Sequence, residues 1–266
     1  MEKLTIEEIY CLQRFGMTTQ DIRKTDLSRF DELYDDNADK FDEWLDYAER
    51  AFDKQEELGI ITISCQDAEY PKTLADIRDD APALIFLLGN DKLLGTEKGV
   101  AIIGARAADR QGLEAAFNCG AEYAKQGNVI ISGLAIGCDK AAHEGCLSVG
   151  GKTIAIVASG LDITHPKENV PLQKRILENG GLLLSEQIIG TKANPTRLVA
   201  RNRLQAAMSQ EVILAQCPEH SGSMHTMRFA RKYHKTCLAV DFATQTNCNS
   251  GNKKLIDEGL ANPLKL

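Results

Sequence analysis

Four short clusters hold most of the side chains in this sequence that can do chemistry. Gly104-Ala105-Arg106 ends an apolar run, with Gly112 further on. A glycine that lets the backbone turn tightly, next to a forked cation, suits a phosphate; an ordinary strand-to-helix turn with a surface arginine would look the same. Ser132-Gly133-Leu134-Ala135-Ile136-Gly137-Cys138-Asp139 passes through two glycines into a helix. Free N–H groups at such a helix start can hold an anion, Asp139 can cap the helix, and His143 either faces the same cleft or packs in the core. Arg197 and Arg201-Asn202-Arg203 place three arginines in seven residues. On a helix, positions 201 and 203 diverge, so both reach one ligand only from a first turn; otherwise the cluster is a solvated face. Ser221-Gly222-Ser223 leads into a segment with Arg228, Arg231 and Lys232. Its hydroxyls and N–H groups suit a phosphate, and they also suit simple capping.

The elements that must position these clusters follow from hydropathy patterning. Strand-like runs occur at 60–63, 84–89, 100–104, 128–132, 153–158, 182–185, 212–215 and 236–240. From residue 100 onward they alternate with amphipathic segments at 111–126, 139–149, 169–179, 200–208 and 223–234, which predicts an α/β fold. That alternation implies a Rossmann-like, mostly parallel sheet with helices on both faces. Each of the four clusters then lies at the carboxyl end of a strand, where such folds bind ligands. Residues 1–58 read instead as a small all-α module of two to four helices. Thr5 and Glu8 have capping-box spacing, and Phe41, Trp44, Leu45, Ala48, Ala51 and Phe52 fall on one helical face. The expected division is therefore 1–58 and 59–266.

Several chemistries find no support. GxGxxG, the P-loop, HExxH, GxSxG, metal-spaced His/Cys/Asp/Glu clusters and paired carboxylates at the strand ends are all missing. No cofactor, metal or catalytic residue is expected. Several anion sites along one sheet edge match an extended phosphodiester better than one small substrate.

The net charge of −7 argues at first against a nucleic-acid partner, but its distribution reverses the argument. Residues 1–58 carry 17 acidic and 8 basic side chains, residues 59–98 carry 7 and 4, and residues 99–266 carry 14 and 19. The segment with the four clusters is thus positive, while the acidity belongs to the helices. Those helices could keep nucleic acid to one face, dock a basic partner, or act as a scaffold. The sequence opens on a polar helix rather than a signal peptide, and no apolar run approaches the roughly 20 residues of a membrane span. The eight cysteines are scattered without a CxxC pair, as expected for small buried hydrophobes in a reducing cytoplasm.

Taken in order, Tyr70-Pro71, Leu84 to Gly89, Gly104-Ala105-Arg106, Ser132 to Asp139, His143, Gly160-Leu161-Asp162, Pro166 to Asn169, Leu184-Ser185-Glu186, Arg201-Asn202-Arg203 and Ser221-Gly222-Ser223 make a specific set. Over roughly residues 59–260 the chain resembles the DprA/Smf family. The resemblance implies an extended Rossmann-like domain that binds single-stranded DNA, protects incoming DNA in natural transformation and helps load the RecA recombinase. It also implies a homodimer and no enzymatic activity. Carried over by position, Arg106 would contact a DNA phosphate. Gly104, Ser132, Gly133, Gly137 and Asp139 would shape the adjoining pocket, while Arg201, Asn202, Arg203, Ser221, Gly222 and Ser223 would complete the site. Ile136 stands where relatives often have a basic residue, which would remove one phosphate contact. The alternative is a nucleotide-binding or nucleotide-hydrolysing protein of the related lysine-decarboxylase-like Rossmann group, although that group's glutamate has no counterpart near Ser221.

Overall fold

The computed structural model describes residues 3–266. Four helices come first: α1 (Ile6–Phe15), α2 (Thr19–Lys24), α3 (Leu27–Asp35) and α4 (Ala38–Glu57). The expected capping box is formed: the Thr5 hydroxyl accepts from the Glu8 N–H at 3.2 Å and the Glu8 carboxylate from the Thr5 N–H at 2.8 Å. Then come β1 (Ile61–Ser64), the short α5 (Lys72–Ala75), β2 (Leu84–Gly89), β3 (Gly99–Ile103), α6 (Arg110–Lys125) and β4 (Val129–Ser132). They are followed by α7 (Cys138–Ser148), β5 (Thr153–Ile156), α8 (Val170–Glu178), β6 (Leu182–Ser185) and α9 (Pro195–Ala207). The chain ends with β7 (Glu211–Leu214), α10 (Ser223–Lys232), β8 (Thr236–Val240), α11 (Ser250–Asp257) and β9 (Asn262–Leu264).

The strands form one sheet in the order β1-β2-β6-β5-β4-β3-β7-β8-β9. Pairing is parallel from β6 through to β9, and β1–β2 and β2–β6 are antiparallel. Alternation along the strands separates two packed layers. Val100, Ile102, Ile130 and Ile213 face α6 and α7, whereas Ala101, Ile103, Ile131, Val212 and Leu214 face the larger core that includes α9 and α10. From β3 the chain first builds outward through β4, β5 and β6, then crosses to the other side for β7. The strand order therefore reverses between β3 and β7, and the crevice above their carboxyl ends is the expected ligand position in this fold.

Two departures from the sequence reading bear on function. Helix α9 begins at Pro195 rather than near residue 200, because Asn194 caps it, accepting from the Arg197 N–H at 2.8 Å, with proline at its first position. The three residues of β9, two of them exposed and one a proline, carry no strand signal of their own.

Helices α1–α4 do not stand apart from the sheet. Ile9, Phe41 and Phe52 belong to the same continuous apolar cluster as Leu84, Phe86 and Leu184. Phe52 and Phe86 lie with ring centroids 6.2 Å apart. Gln55, buried at the end of α4, donates to Thr62 Oγ1 at 3.2 Å and accepts from the Ile189 N–H at 3.1 Å, so both its amide nitrogen and its amide oxygen are bonded at this junction. No described helix is long and apolar enough to cross a membrane. All eight cysteines are free thiols and seven are buried; burial pushes Cys119, Cys138 and Cys217 up to about 12.

Candidate functional site

Above the β3/β7 reversal lies a cleft of about 430 Å³ whose lining includes Gly104, Arg106, Asp139, Asn202 and Ser221 to Ser223. Its sides come from four segments: the turn after β3, the loop before α7, one face of α9, and the start of α10. Gln216, in the segment after β7, ties the first to the last. Its carbonyl accepts from the Ala105 N–H at 2.7 Å. Its side chain accepts from the Asp109 N–H at 3.0 Å and donates to Asp109 Oδ1 at 2.9 Å. Asp109 in turn caps α6, accepting from the Gly112 N–H at 3.0 Å, and these donors hold its carboxyl below the usual range. The glycines singled out in the sequence make this packing possible. A Cβ on Gly112 would strike the Gln216 side chain, and one on Gly104 would meet Cys138 Sγ at 2.5 Å. Gly137, at φ +82°, sits against the Arg106 carbonyl, where a Cβ would lie 2.5 Å from the oxygen.

The start of α7 is not an open anion site. Its Cys138 N–H donates to the Ala105 carbonyl at 3.2 Å. Asp139 turns back into the loop and accepts from the Gly133 N–H at 3.1 Å, so the chain supplies its own carboxylate to these amides. Gly137 rather than Asp139 is the residue at the cap position. Ser132 is fully buried and its hydroxyl donates to the Ile102 carbonyl at 2.7 Å. Ser132, Gly133 and Asp139 therefore build the loop, and of the three only Asp139 lines the cleft.

The Arg201-Asn202-Arg203 cluster splits three ways, because α9 starts early and places these residues in its middle turns. Arg201 is only 4% exposed, and its guanidinium fills the space where a Gly133 Cβ would be. The surrounding donors fix the Gln205 amide with its oxygen toward Arg201 Nη1 and the Gly133 N–H, at 2.8 Å each. Burial pushes Arg201 below and Asp139 above their ordinary values, although the opposite charges oppose both shifts. Asn202 faces the cleft, donating to the Gly222 carbonyl at 3.3 Å. Arg203 points to the opposite side. It grips Glu186 with two bonds, at 2.7 and 2.5 Å, and donates to the Asp80 carbonyl at 2.6 Å. Placing Arg203 in the cleft is thus corrected: it is a buried tie between α9, the turn before β2 and the end of β6. For His143 the core reading is the one that holds: it is 0% exposed and bonded to Thr153 Oγ1 of β5 at 2.7 Å rather than facing the cleft.

What remains facing solvent is a sparse, positive constellation. The Arg106 guanidinium is exposed and makes no ion pair or hydrogen bond among the described residues. Across the cleft, α10 begins at Ser223 without a side-chain cap on its first turn. The Ser223 N–H donates to Ser221 Oγ at 3.3 Å, and the Gly222 N–H has no acceptor among the described residues. Gly222 has ordinary helical angles, φ −56° and ψ −28°, and a Cβ there would meet nothing within 4 Å. The fold gives no reason for glycine at this position, whereas close approach of a ligand to the backbone would. Gln205, Gln216 and the apolar wall of Pro195, Leu198 and Val199 were not legible as site residues; the only signal was Asn194-Pro195, a helix start placed early enough to bring α9 to the cleft. Among the described residues no three His, Cys, Asp or Glu are grouped to hold a metal.

Comparison with known proteins accords with this architecture. The family model for DNA recombination-mediator protein A matches residues 61–265. The DNA processing protein DprA of Streptococcus pneumoniae is 35% identical, over 97% of this chain and 94% of that protein. Protein Smf of Synechocystis is 33% identical over 73% of this chain, which spans about half (49%) of that longer relative. The X-ray structure of the pneumococcal protein superposes with a TM-score of 0.83 at 33% identity, covering 99% of this chain and 95% of that one. A Helicobacter pylori DNA processing protein A, solved to describe its single-stranded DNA binding mode, superposes with a TM-score of 0.68 at 33% identity over 77% of this chain and 90% of that one. By sequence and by fold, this chain belongs to the DNA recombination-mediator protein A (DprA/Smf) family.

Proposed function

We propose that this chain binds single-stranded DNA across the β3/β7 crevice and, as its family implies, shields incoming strands and helps load the RecA recombinase onto them. The observation that carries this reading is the pairing of an exposed, unpartnered Arg106 with the free Gly222 N–H and the Ser221 and Ser223 hydroxyls at the start of α10, across one cleft. Arg106 would hold one phosphate as a charge-assisted pair, and the Gly222 N–H with the Ser221 and Ser223 hydroxyls a second. Asn202 would set the position of the 221–223 loop. Such contacts recognise backbone rather than base, so binding would be weakly dependent on sequence and steeply dependent on salt. The internal Arg201–Asp139–Gln205 network would keep the cleft walls in place without touching DNA.

The nucleotide-hydrolysing alternative gains no support from the site. The carboxylate in the cleft lining is Asp139, which is buried and engaged by the Gly133 N–H. The decisive experiment is fluorescence anisotropy with thymidine oligomers across a salt series. Arg106→Ala should lower affinity tenfold or more and reduce the slope of log affinity against log salt by about one contact, with the fold unchanged by circular dichroism. Salt-insensitive binding, or binding unchanged in that variant, would overturn the proposal. A RecA filament-assembly assay on strands pre-coated with single-strand-binding protein tests the loading step, and sedimentation equilibrium tests the homodimer.

A further inference from the structure

We propose that the bound strand crosses Arg106 into a second groove, on the α6–α7 face, and stacks a base on Phe117. This inference rests on the reading above and extends it to the path of the strand. The groove has a volume of about 520 Å³, and its lining includes Arg106, Leu113, Phe117, Gly137 and Lys140. Arg106 lines this groove and the β3/β7 cleft alike, so the two are continuous through one unpaired cation. Leu113 and Phe117, one turn apart on α6, are 37% and 38% exposed, and Ile136 beside Gly137 is 44% exposed. Among the described residues, two exposed large apolar side chains, Leu113 and Phe117, thus share this groove with Arg106, and a third, Ile136, adjoins its Gly137.

The ring of Phe117 is turned outward by the packing of its own helix. A Cβ on Gly145 of α7 would collide with the Phe117 carbonyl, so α6 and α7 touch backbone to backbone and leave this side chain no room between them. Phe117 forms no aromatic pair among the described residues. Nearby acidic groups are engaged: Glu114 with Arg110 at 2.7 Å and Glu144 with Lys140 at 3.9 Å. An exposed apolar ring beside a free cation, adjoining a phosphate cleft, matches the alternation of base and phosphate along a single strand. A second copy of the chain, or another protein, would have less use for the unpaired guanidinium at the groove's edge.

The test compares a four-nucleotide thymidine oligomer, a fifteen-nucleotide one, and a fifteen-nucleotide strand with abasic sites over its distal half. Phe117→Ala should cut the affinity advantage of the long thymidine strand over the short one by about tenfold, the usual size of one base–aromatic stack. The same variant should abolish the preference for thymidine over abasic strand, and Phe117→Tyr, which keeps a π-face, should restore both. An unchanged length advantage and abasic preference in Phe117→Ala would overturn the inference. So would loss of a dimer in sedimentation equilibrium with DNA affinity intact, which would assign the face to a second copy. Failure of the parent reading looks different: there, Arg106→Ala leaves even the four-nucleotide oligomer bound as before.

Discussion

His143 makes this protein sensitive to acid, and the size of the effect follows from its bonding. Thr153 Oγ1 donates its proton to the Ile130 carbonyl at 2.7 Å, so toward His143 it can only accept. Nδ1, 2.7 Å away, must therefore carry the imidazole proton, leaving Nε2 as a bare lone pair. That nitrogen is buried with no partner, and Arg201 lies close enough to repel a second positive charge. Burial first, then Arg201, pushes the imidazole from its ordinary 6.5 down to about 3. The unfolded chain takes up a proton below about pH 6.5 that the folded chain refuses. The stabilising effect of a neutral His143 is thus complete above that pH and declines as pH falls toward 3. Between pH 7.5 and 4.5 the loss is about 2.7 kcal/mol, from about 1.36 kcal/mol per pH unit below the unfolded value. Asp139, lifted by burial, acts in the opposite sense and is common to wild type and variant. Urea denaturation at a series of pH values, on wild type and on His143→Asn, isolates the His143 contribution as a difference in slope, because asparagine keeps a donor to Thr153 and has no titrating lone pair. Parallel profiles for the two proteins, or an imidazolium signature for His143 in nitrogen NMR at pH 5, would refute the reasoning.

Three further outcomes follow. Gly222→Ala should leave stability unchanged or slightly higher, by about 0.5 kcal/mol, since the site is helical and open, while weakening single-strand binding; equal binding would show that no ligand approaches that backbone. Arg203→Met should cost about 3 kcal/mol in chemical denaturation by stranding the buried Glu186, yet leave the salt dependence of DNA binding as in wild type. Gly133→Ala should lower the melting temperature sharply, because the new methyl group takes the place of the Arg201 guanidinium, at a cost of about 3 kcal/mol or more; an unshifted melting temperature would show that the guanidinium has another place to go.

The strand ends were legible because buried parallel strands announce themselves as short apolar runs, and the clusters at Gly104 and at Ser132 follow them directly. The side of the helix on which each residue falls was not. Arg201, Asn202 and Arg203 look alike as neighbours in sequence, and only the register of α9, set by Asn194 and Pro195, sends one to the core, one to the cleft and one to Glu186. Glycine was also ambiguous. At 104, 112 and 133 it clears space for Cys138, Gln216 and Arg201, which no local pattern shows, whereas at 222 it clears space for nothing within the chain. Gly120, where a Cβ would strike the Ala142 carbonyl, and Gly145 escaped notice because a helix–helix contact has no signature within either helix.

The shared core beneath Phe86 has a consequence for descent. Phe52 and Gln55 seal the outer strands, so a lineage could not discard α1–α4 by simple deletion and keep β1 and β2 dry. Any relative built without such helices must have acquired another cover for that edge, or shed the edge with them. The family model begins at residue 61 and so takes in β1 and β2 without α1–α4; a relative matching only that span must keep these two strands dry by some other cover, while the parallel strands that form the crevice need no such replacement.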